Sequence, residues 1–296
     1  MPSHVEWLPK PQILNFEEIE FLARLFVNLG VESIRLTGGE PLVRRNLPSL
    51  AARLAKIEGL KDLSLTTNGY YLPEQARDLY EAGVRRINIS LDSLNEAKFH
   101  EITGSDSFQR VMAGIEAARE AGFDPIKINC VAIRGFNDDE IVDFLRWGKE
   151  KNLQIRFIEF MPLDGDHRWS RERVLTQEEI LQKVNASGFA EYKQSKDDGP
   201  AAQFTSTSSD HFGVIPSVTQ PFCANCSRIR ITADGKFRTC LFAISEVDLR
   251  EPLREGVSSE ELTRLIRAAV ADKWAGHKIN DPDFVQPPRA MYSIGG

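Results

Sequence analysis

The chain has 296 residues, 42% of them hydrophobic, and a formal net charge of -6. That length and apolar content can bury a sizeable core, either as one large α/β domain or as a domain with an extension. The negative balance excludes general binding to nucleic acid or anionic membranes, so contact with a polyanion has to come from a local basic cluster. No apolar run reaches the length of a membrane span. The opening "MPSHVEWLPKPQ" has neither a basic nor an apolar targeting region, which makes the cytoplasm the expected compartment.

In chain order, Phe16, Ile19, Leu22, Leu25, Phe26 and Leu29 recur at helical spacing, with Asn15 and Glu18 as a capping pair and Gly30 as the stop. This predicts an amphipathic helix. Short runs rich in β-branched residues then alternate with helical patterns: "SIRLTGG", "DLSLTTNG", "RINISLD", "IKINCVAIRG" and "QIRFIEFM". Repeated strand-helix units predict a parallel sheet, closed into a full or partial (β/α) barrel or left open and doubly wound. Arg35, Lys127 and Arg156, with Asn129 and Glu159, stand inside these apolar strands. Buried charge is costly unless paired or solvated. The strands therefore enclose either a polar lumen for an anionic ligand or internal ion pairs, for example Glu159 with Arg156 or a lysine. The texture changes after Met161, which places a boundary near residue 165. Beyond it come a helix near Gln177 to Ser187, the polar stretch "YKQSKDDGPAAQFTSTSSDHF", short strands around three cysteines, a helix in "SSEELTRLIRAAVADKW" and a tail ending in Gly295 and Gly296.

Cys223, Cys226 and Cys240 form a C-x2-C-x13-C pattern, and Cys130 stands alone in "IKINCVAI". Reduced thiols in this constellation read as metal or cluster ligands before disulfides, and Cys130 as a buried, inert thiol. A structural zinc would need a fourth ligand, and neither His211 nor Cys130 lies at the customary spacing. A three-thiolate iron-sulfur cluster would leave one iron open, with Arg228 and Arg230 placing cations beside an anionic ligand. In "TGGEPL", Thr37 to Leu42, two glycines permit close backbone approach and Glu40 can accept from a cationic amine; an ordinary strand-to-helix turn has the same composition. "TTNG" and "ISLDS" put further hydroxyl, amide and carboxylate groups at strand ends, the face where barrel enzymes keep their sites.

Together "IRLTGGEPLVRR", "LTTNG", "RINISLDSL", "RFIEFMP", "FCANCSRIRITADGKFRTCLF" and the terminal Gly-Gly resemble the GTP 3',8-cyclase family of radical S-adenosylmethionine (SAM) enzymes in molybdenum cofactor biosynthesis. The resemblance covers nearly the whole chain. It implies an α/β protein in which residues 1–165 form a partial (β/α) barrel of the radical SAM type, its first strand missing. A smaller C-terminal α+β cluster-binding domain, 166–296, closes it. It implies a lyase in which Cys223, Cys226 and Cys240 hold a [4Fe-4S] cluster whose free iron binds the guanine of GTP. SAM is expected against Gly39, Glu40, Ser90 and Met161. GTP is expected against Arg35, Thr66, Lys127, Arg156, Arg228, Ile229 and Arg230. Arg228, Arg230, Gly295 and Gly296 are the implied catalytic groups, the two glycines reaching into the active site.

Members of the family also carry an N-terminal C-x3-C-x2-C motif for a second [4Fe-4S] cluster that cleaves SAM. This chain begins without it, so as written it is expected to cleave no SAM. Homodimerisation and a downstream partner, the cyclic pyranopterin monophosphate synthase MoaC, follow from the same resemblance, with no nucleic-acid or membrane partner. Competing readings are a zinc- or cluster-stabilised nucleotide-binding protein without catalysis, or another radical SAM maturase with an auxiliary cluster.

Overall fold

The computed structural model describes residues 8–295 apart from 166–167, 189–191, 196–200, 207–210 and 274–275. The first predicted helix is α1 (Phe16–Asn28), whose start is fixed by reciprocal hydrogen bonds between Asn15 and Glu18. The five predicted strands are β1 (Ser33–Leu36), β2 (Asp62–Thr67), β3 (Arg86–Ser90), β4 (Ile126–Ala132) and β5 (Gln154–Glu159). Between them run α2 (Leu47–Leu54), α3 (Leu72–Glu81), α4 (Glu96–Thr103), α5 (Phe108–Ala121) and α6 (Ile141–Lys151). The strands pair in parallel and in sequence order, which settles the choice left open by periodicity in favour of a partial (β/α) barrel.

Strand alternation then sorts the side chains. In β4, Ile126, Ile128, Cys130 and Ala132 are buried in the main core, while Lys127, Asn129 and Val131 occupy the other, more open face. In β5, Ile155 and Phe157 join that core, and Gln154, Arg156 and Ile158 face the open side.

The sheet does not stop where the composition changes. After α7 (Gln177–Ala186) come β6 (Tyr192–Ser195), β7 (Ala202–Ser206) and β8 (His211–Ile215). β8 pairs parallel with β5, and β7 and β6 continue the sheet antiparallel, giving the order β1-β2-β3-β4-β5-β8-β7-β6. Phe204, Phe212 and Val214 supply the apolar face of this extension to the main core. The polar stretch between residues 192 and 212 thus carries barrel strands, hidden in the sequence because each is short and interrupted by Ser, Asp and Gly.

Glu159 is corrected by the structure. Its odd spacing from Arg156 puts the two on opposite faces of β5, so the expected pair does not form. Fully buried, Glu159 accepts hydrogen bonds from Gln177 N at 3.1 Å, Val218 N and Thr219 N at 2.8 Å each, and Thr219 Oγ1 at 2.5 Å. It holds the N-terminus of α7 and the turn after β8 to the end of β5, where the helix dipole favours a carboxylate.

The remaining chain forms a small antiparallel sheet, β9 (Arg230–Ile231), β10 (Lys236–Arg238) and β11 (Val247–Asp248), followed by α8 (Arg250–Arg254), α9 (Ser259–Ala271) and α10 (Met291–Ile294). α1 joins this part to the barrel. Its Ala23 and Val27 belong to the main core, whereas Leu22, Leu25 and Phe26 pack with Phe237, Leu249, Leu262 and Ile266 in a second core. Each such large side chain contributes about 1.5–3 kcal/mol by burial. A third core of Leu163, Val174, Val218, Phe242, Ile279 and Ile294 has Met161, Cys240 and Met291 at its margin.

The bonding of Glu159 makes its removal costly. Glu159→Ala leaves several buried donors without an acceptor, and urea unfolding should show a loss of at least about 3 kcal/mol, with Glu159→Gln less affected. A loss of less than about 1 kcal/mol for the alanine variant would contradict this role.

Candidate active site at the mouth of the partial barrel

Two rows of aligned residues cross the open face of the sheet. Thr66, Asn88, Lys127 and Gln154 form one, and Ser90, Asn129, Arg156 and Gly213 the next toward the carboxyl ends. Members of a row share a face, so the polar residues seen inside the strands converge on one surface. Asn88 donates to Thr66 Oγ1 at 3.2 Å, ordering the first row. Gly213 makes room in the second, since a Cβ there would lie 3.3 Å from Arg156 Cγ. At the amino end of the strands, Arg86 is neutralised by a bidentate pair with Asp62, and Arg35 Nε donates to Ser64 Oγ at 3.3 Å. Arg35 is surface-exposed on β1, yet the crowding of its guanidinium holds it below its ordinary range, through desolvation first and then the positive charges of Arg86 and Arg228, with Asp62 opposing. Arg228 of the cysteine segment therefore faces the barrel's own arginine.

At the strand ends, the backbone turn after β1 is locked in place by Glu40. Its carboxylate accepts from Leu42 N at 2.9 Å, Thr67 Oγ1 at 2.8 Å and Asn68 N at 2.7 Å. Burial pushes this carboxyl up, against the pull of those hydrogen bonds. The bonds tie the Gly-Gly turn to the end of β2 and leave Gly39 exposed at the mouth. Ser90 is exposed at the end of β3, and Met161 is half-buried beyond β5. Two residues past Ser90, Asp92 Oδ1 accepts from Val131 N at 2.8 Å, and burial pushes its carboxyl up to about 6.

Cys240 of the cysteine segment shares an apolar core with Met161, just beyond β5. Cys223, Cys226 and Cys240 are free, half-buried thiols. Among the described residues no group of three Cys, His, Asp or Glu is gathered as a metal site. The donor chemistry nonetheless suits a thiolate-bound iron-sulfur group. Burial works to raise the Cys226 thiol, but the backbone N–H and guanidinium of Arg228, with the charge of Lys273, outweigh it and hold it below the usual thiol range. Lys273 Nζ also donates to the carbonyls of Cys226 at 2.6 Å and Arg228 at 3.1 Å, fixing the loop. Gly276 lies beside Cys223, a Cβ there coming within ordinary contact, 3.4 Å, of Cys223 Cβ. Cys130 is different. It is buried on the helix-facing side of β4, and burial pushes its thiol well above the ordinary range, with Asp92 and Glu140 adding to the effect.

Arg228 is exposed and stacks over the Phe222 ring at 4.8 Å, while Ile229 packs into the second core. Arg230 is lowered to about 10, by burial first and then by the charge of Arg228, with Cys240 and Cys226 opposing. Its Nε donates to the Gly295 carbonyl at 3.3 Å. The tail reaches this point because Met291 N donates to Leu163 O at 2.9 Å, bringing α10 against the barrel mouth. There Tyr292 O lies 3.4 Å from the Cβ position of Gly39. Gly295 has φ +79°, and a Cβ on it would come 2.7 Å from Thr37 Cγ2. Only glycine suits both the conformation and the space. Gly296 lies outside the described residues.

Fold and site together define a radical SAM protein. The Radical SAM superfamily profile matches residues 2–148, and that of Molybdenum Cofactor Synthesis C residues 153–279. The fold is similar to that of Streptococcus suis SuiB bound to S-adenosylmethionine, with a TM-score of 0.61 over 84% of this chain and 58% of that one at 14% identity. Among curated proteins, the chain is 46% identical over 304 residues to the GTP 3',8-cyclase of Rhodopirellula baltica, covering 100% of this chain and 84% of that protein. It is 45% identical over 301 residues to that of Streptomyces coelicolor, covering 100% of this chain and 88% of that protein. The mitochondrial GTP 3',8-cyclase of Arabidopsis thaliana is 45% identical, with 100% of this chain and 76% of that protein covered. The chain belongs to the GTP 3',8-cyclase family.

The raised carboxyl of Asp92 has a stability consequence. Its folded value near 6 exceeds that of the unfolded chain, so the folded state bears the cost of the charge above pH 6 and is relieved of it as the pH falls toward 4. Asp92→Asn keeps the acceptor for Val131 N. It should stabilise the protein at pH 8 by on the order of 1–3 kcal/mol, with the gain vanishing at pH 4. Denaturant midpoints at the two pH values measure it, and a pH-independent difference would contradict the assignment.

Proposed function

We propose that the protein is a GTP 3',8-cyclase, one of the lyases that convert GTP to (8S)-3',8-cyclo-7,8-dihydroguanosine 5'-triphosphate by SAM-dependent radical chemistry in molybdenum cofactor biosynthesis. With Cys130 the one thiol outside the triplet, the chain as written binds the nucleotide but does not itself cleave SAM. The observation that carries this reading is the buried Arg230, which donates to the Gly295 carbonyl at 3.3 Å and has the charge of Arg228 and the thiols of Cys226 and Cys240 around it. Mutually repelling guanidiniums beside reduced thiols suit a polyanionic nucleotide next to a cluster, and the family relationship names the nucleotide.

Cys223, Cys226 and Cys240 would hold a [4Fe-4S] cluster, leaving one iron for the guanine. When bound, SAM and its reducing cluster supply the radical that takes the ribose 3' hydrogen. The chain's own residues bind and orient. Arg35, Lys127, Arg156, Arg228 and Arg230 place positive charge along the triphosphate and ribose, where charge-assisted hydrogen bonds contribute about 1.5–3 kcal/mol each. Thr66, ordered by Asn88, offers a hydroxyl to the nucleotide, and the Ile229 backbone runs between the two arginines. Gly39, Ser90 and Met161 line the SAM side, with Glu40 holding the Gly39 turn in place. Gly295 brings the tail backbone to Arg230, and the terminal Gly-Gly would exclude water from the reacting ribose.

In this reading residues 1–165 supply the SAM half and 166–296 the cluster and tail, although one sheet spans both. The product passes to a cyclic pyranopterin monophosphate synthase, and the reduced thiols suit a cytoplasmic setting.

Anaerobic reconstitution tests the cluster assignment. The wild-type chain should turn brown and bind iron and sulfide, Cys226→Ser should lose that iron, and Cys130→Ser should keep it. Colourless protein holding one zinc, or equal iron loss in both variants, would overturn the reading.

A further inference from the structure

We infer that Arg289 is a positioning residue, a latch that sets the C-terminal tail across the site through a chain of buried and partly buried charges. Its Nη1 and Nη2 donate to the two oxygens of Asp234 at 3.1 and 2.8 Å, and its Nε pairs with Glu246 Oε1 at 2.9 Å. The same Glu246 oxygen is paired by Arg238, whose Nη2 donates to the carbonyls of Leu241 at 3.2 Å and Ala243 at 2.6 Å. Asp234 is 8% exposed and Arg238 1% exposed, and Thr232 Oγ1 donates to Asp234 Oδ1 at 2.5 Å. The chain therefore runs from the β9–β10 turn through the tail to the segment just after Cys240.

Its geometry separates it from a surface ion pair. A guanidinium fork engages both oxygens of one carboxylate and one oxygen of a second, in a setting that excludes most water. The tail meets the site through weaker contacts, among them the 3.3 Å hydrogen bond from Arg230 Nε to Gly295 O, the backbone bond from Met291 N to Leu163 O and the packing of Ile294 in the third core. Arg230 and Asp234 lie on one short hairpin, and Gly295 and Arg289 on one short tail segment. The clamp at Asp234 and Glu246 thus acts upstream of the Met291 and Ile294 contacts to set the register in which the Arg230–Gly295 bond forms. Arg289 touches neither thiols nor strand ends. Its functional weight rests on the proposed cyclase reading; its structural role does not.

Hydrogen-deuterium exchange on the full chain tests the latch. In Arg289→Ala, amides of residues 284–295 should exchange about tenfold faster or more, the loss expected for charged hydrogen bonds. Arg289→Lys should fall between, and residues 230–248 should be unchanged because Arg238 still holds Glu246. Asp234→Asn should release the same tail segment. Wild-type protection of 284–295 in the alanine variant, or equal loosening of 230–248, would overturn the latch. Calorimetric binding of GTP by iron-matched protein reads its purpose. A loss of affinity that follows tail release across the variants supports positioning, and unchanged affinity with a released tail overturns it. If the wild type itself binds no GTP, the cyclase reading fails while the exchange data still decide the latch.

Discussion

The crowding of Arg228 against Arg230, and against Arg35 of the barrel, is the constraint around which the molecule is organised. Arg228 lowers both of the others, and Arg35 comes from the barrel whereas Arg228 and Arg230 come from the cysteine segment. Like charges from separate parts of a chain do not meet unless packing elsewhere forces them together. The hydrophobic faces of α1 provide that force, one sealing the barrel and the other the second core. A site that stores repulsion in the absence of ligand is relieved when a polyanion arrives, which turns part of the folding energy into affinity.

The same packing delivers the soft ligands and the tail. The third core places Met161 from the end of β5, Cys240 from the cysteine segment and Met291 from the tail around one apolar centre, so the end of β5, the cysteine segment and the tail share a boundary. Glu159 and Glu40 act beneath this surface. The first fixes the turn after β8, and the second fixes the turn that carries Gly39. Neither needs to touch a ligand to decide where ligand-facing groups stand.

Much of this was legible in residue order. Period-two strands and period-3.6 helices located α1 and β1 to β5, because their hydrophobic faces are long and uninterrupted. Arg35, Lys127 and Arg156 marked the open face because charge within an apolar strand must point somewhere wet or paired. Other features were hidden. Glu159 reads as one more lumen charge until its strand parity is counted. β6 to β8 are too short and polar to show a period, and their register comes from pairing with β5. The latch at Arg289 was silent, since its acids lie 55 and 43 residues upstream and no local pattern links them. Local signals reveal faces, whereas contacts between distant charges appear only once the chain is folded.

The most direct test of the central constraint is the thermal stability of Arg228→Gln with and without GTP, at low ionic strength where the charges are least screened. Removing one repelling guanidinium should leave the ligand-free protein at least as stable as the wild type while sharply reducing the stabilisation that GTP gives. A ligand-free variant clearly less stable than the wild type, with its GTP-induced shift intact, would contradict the account.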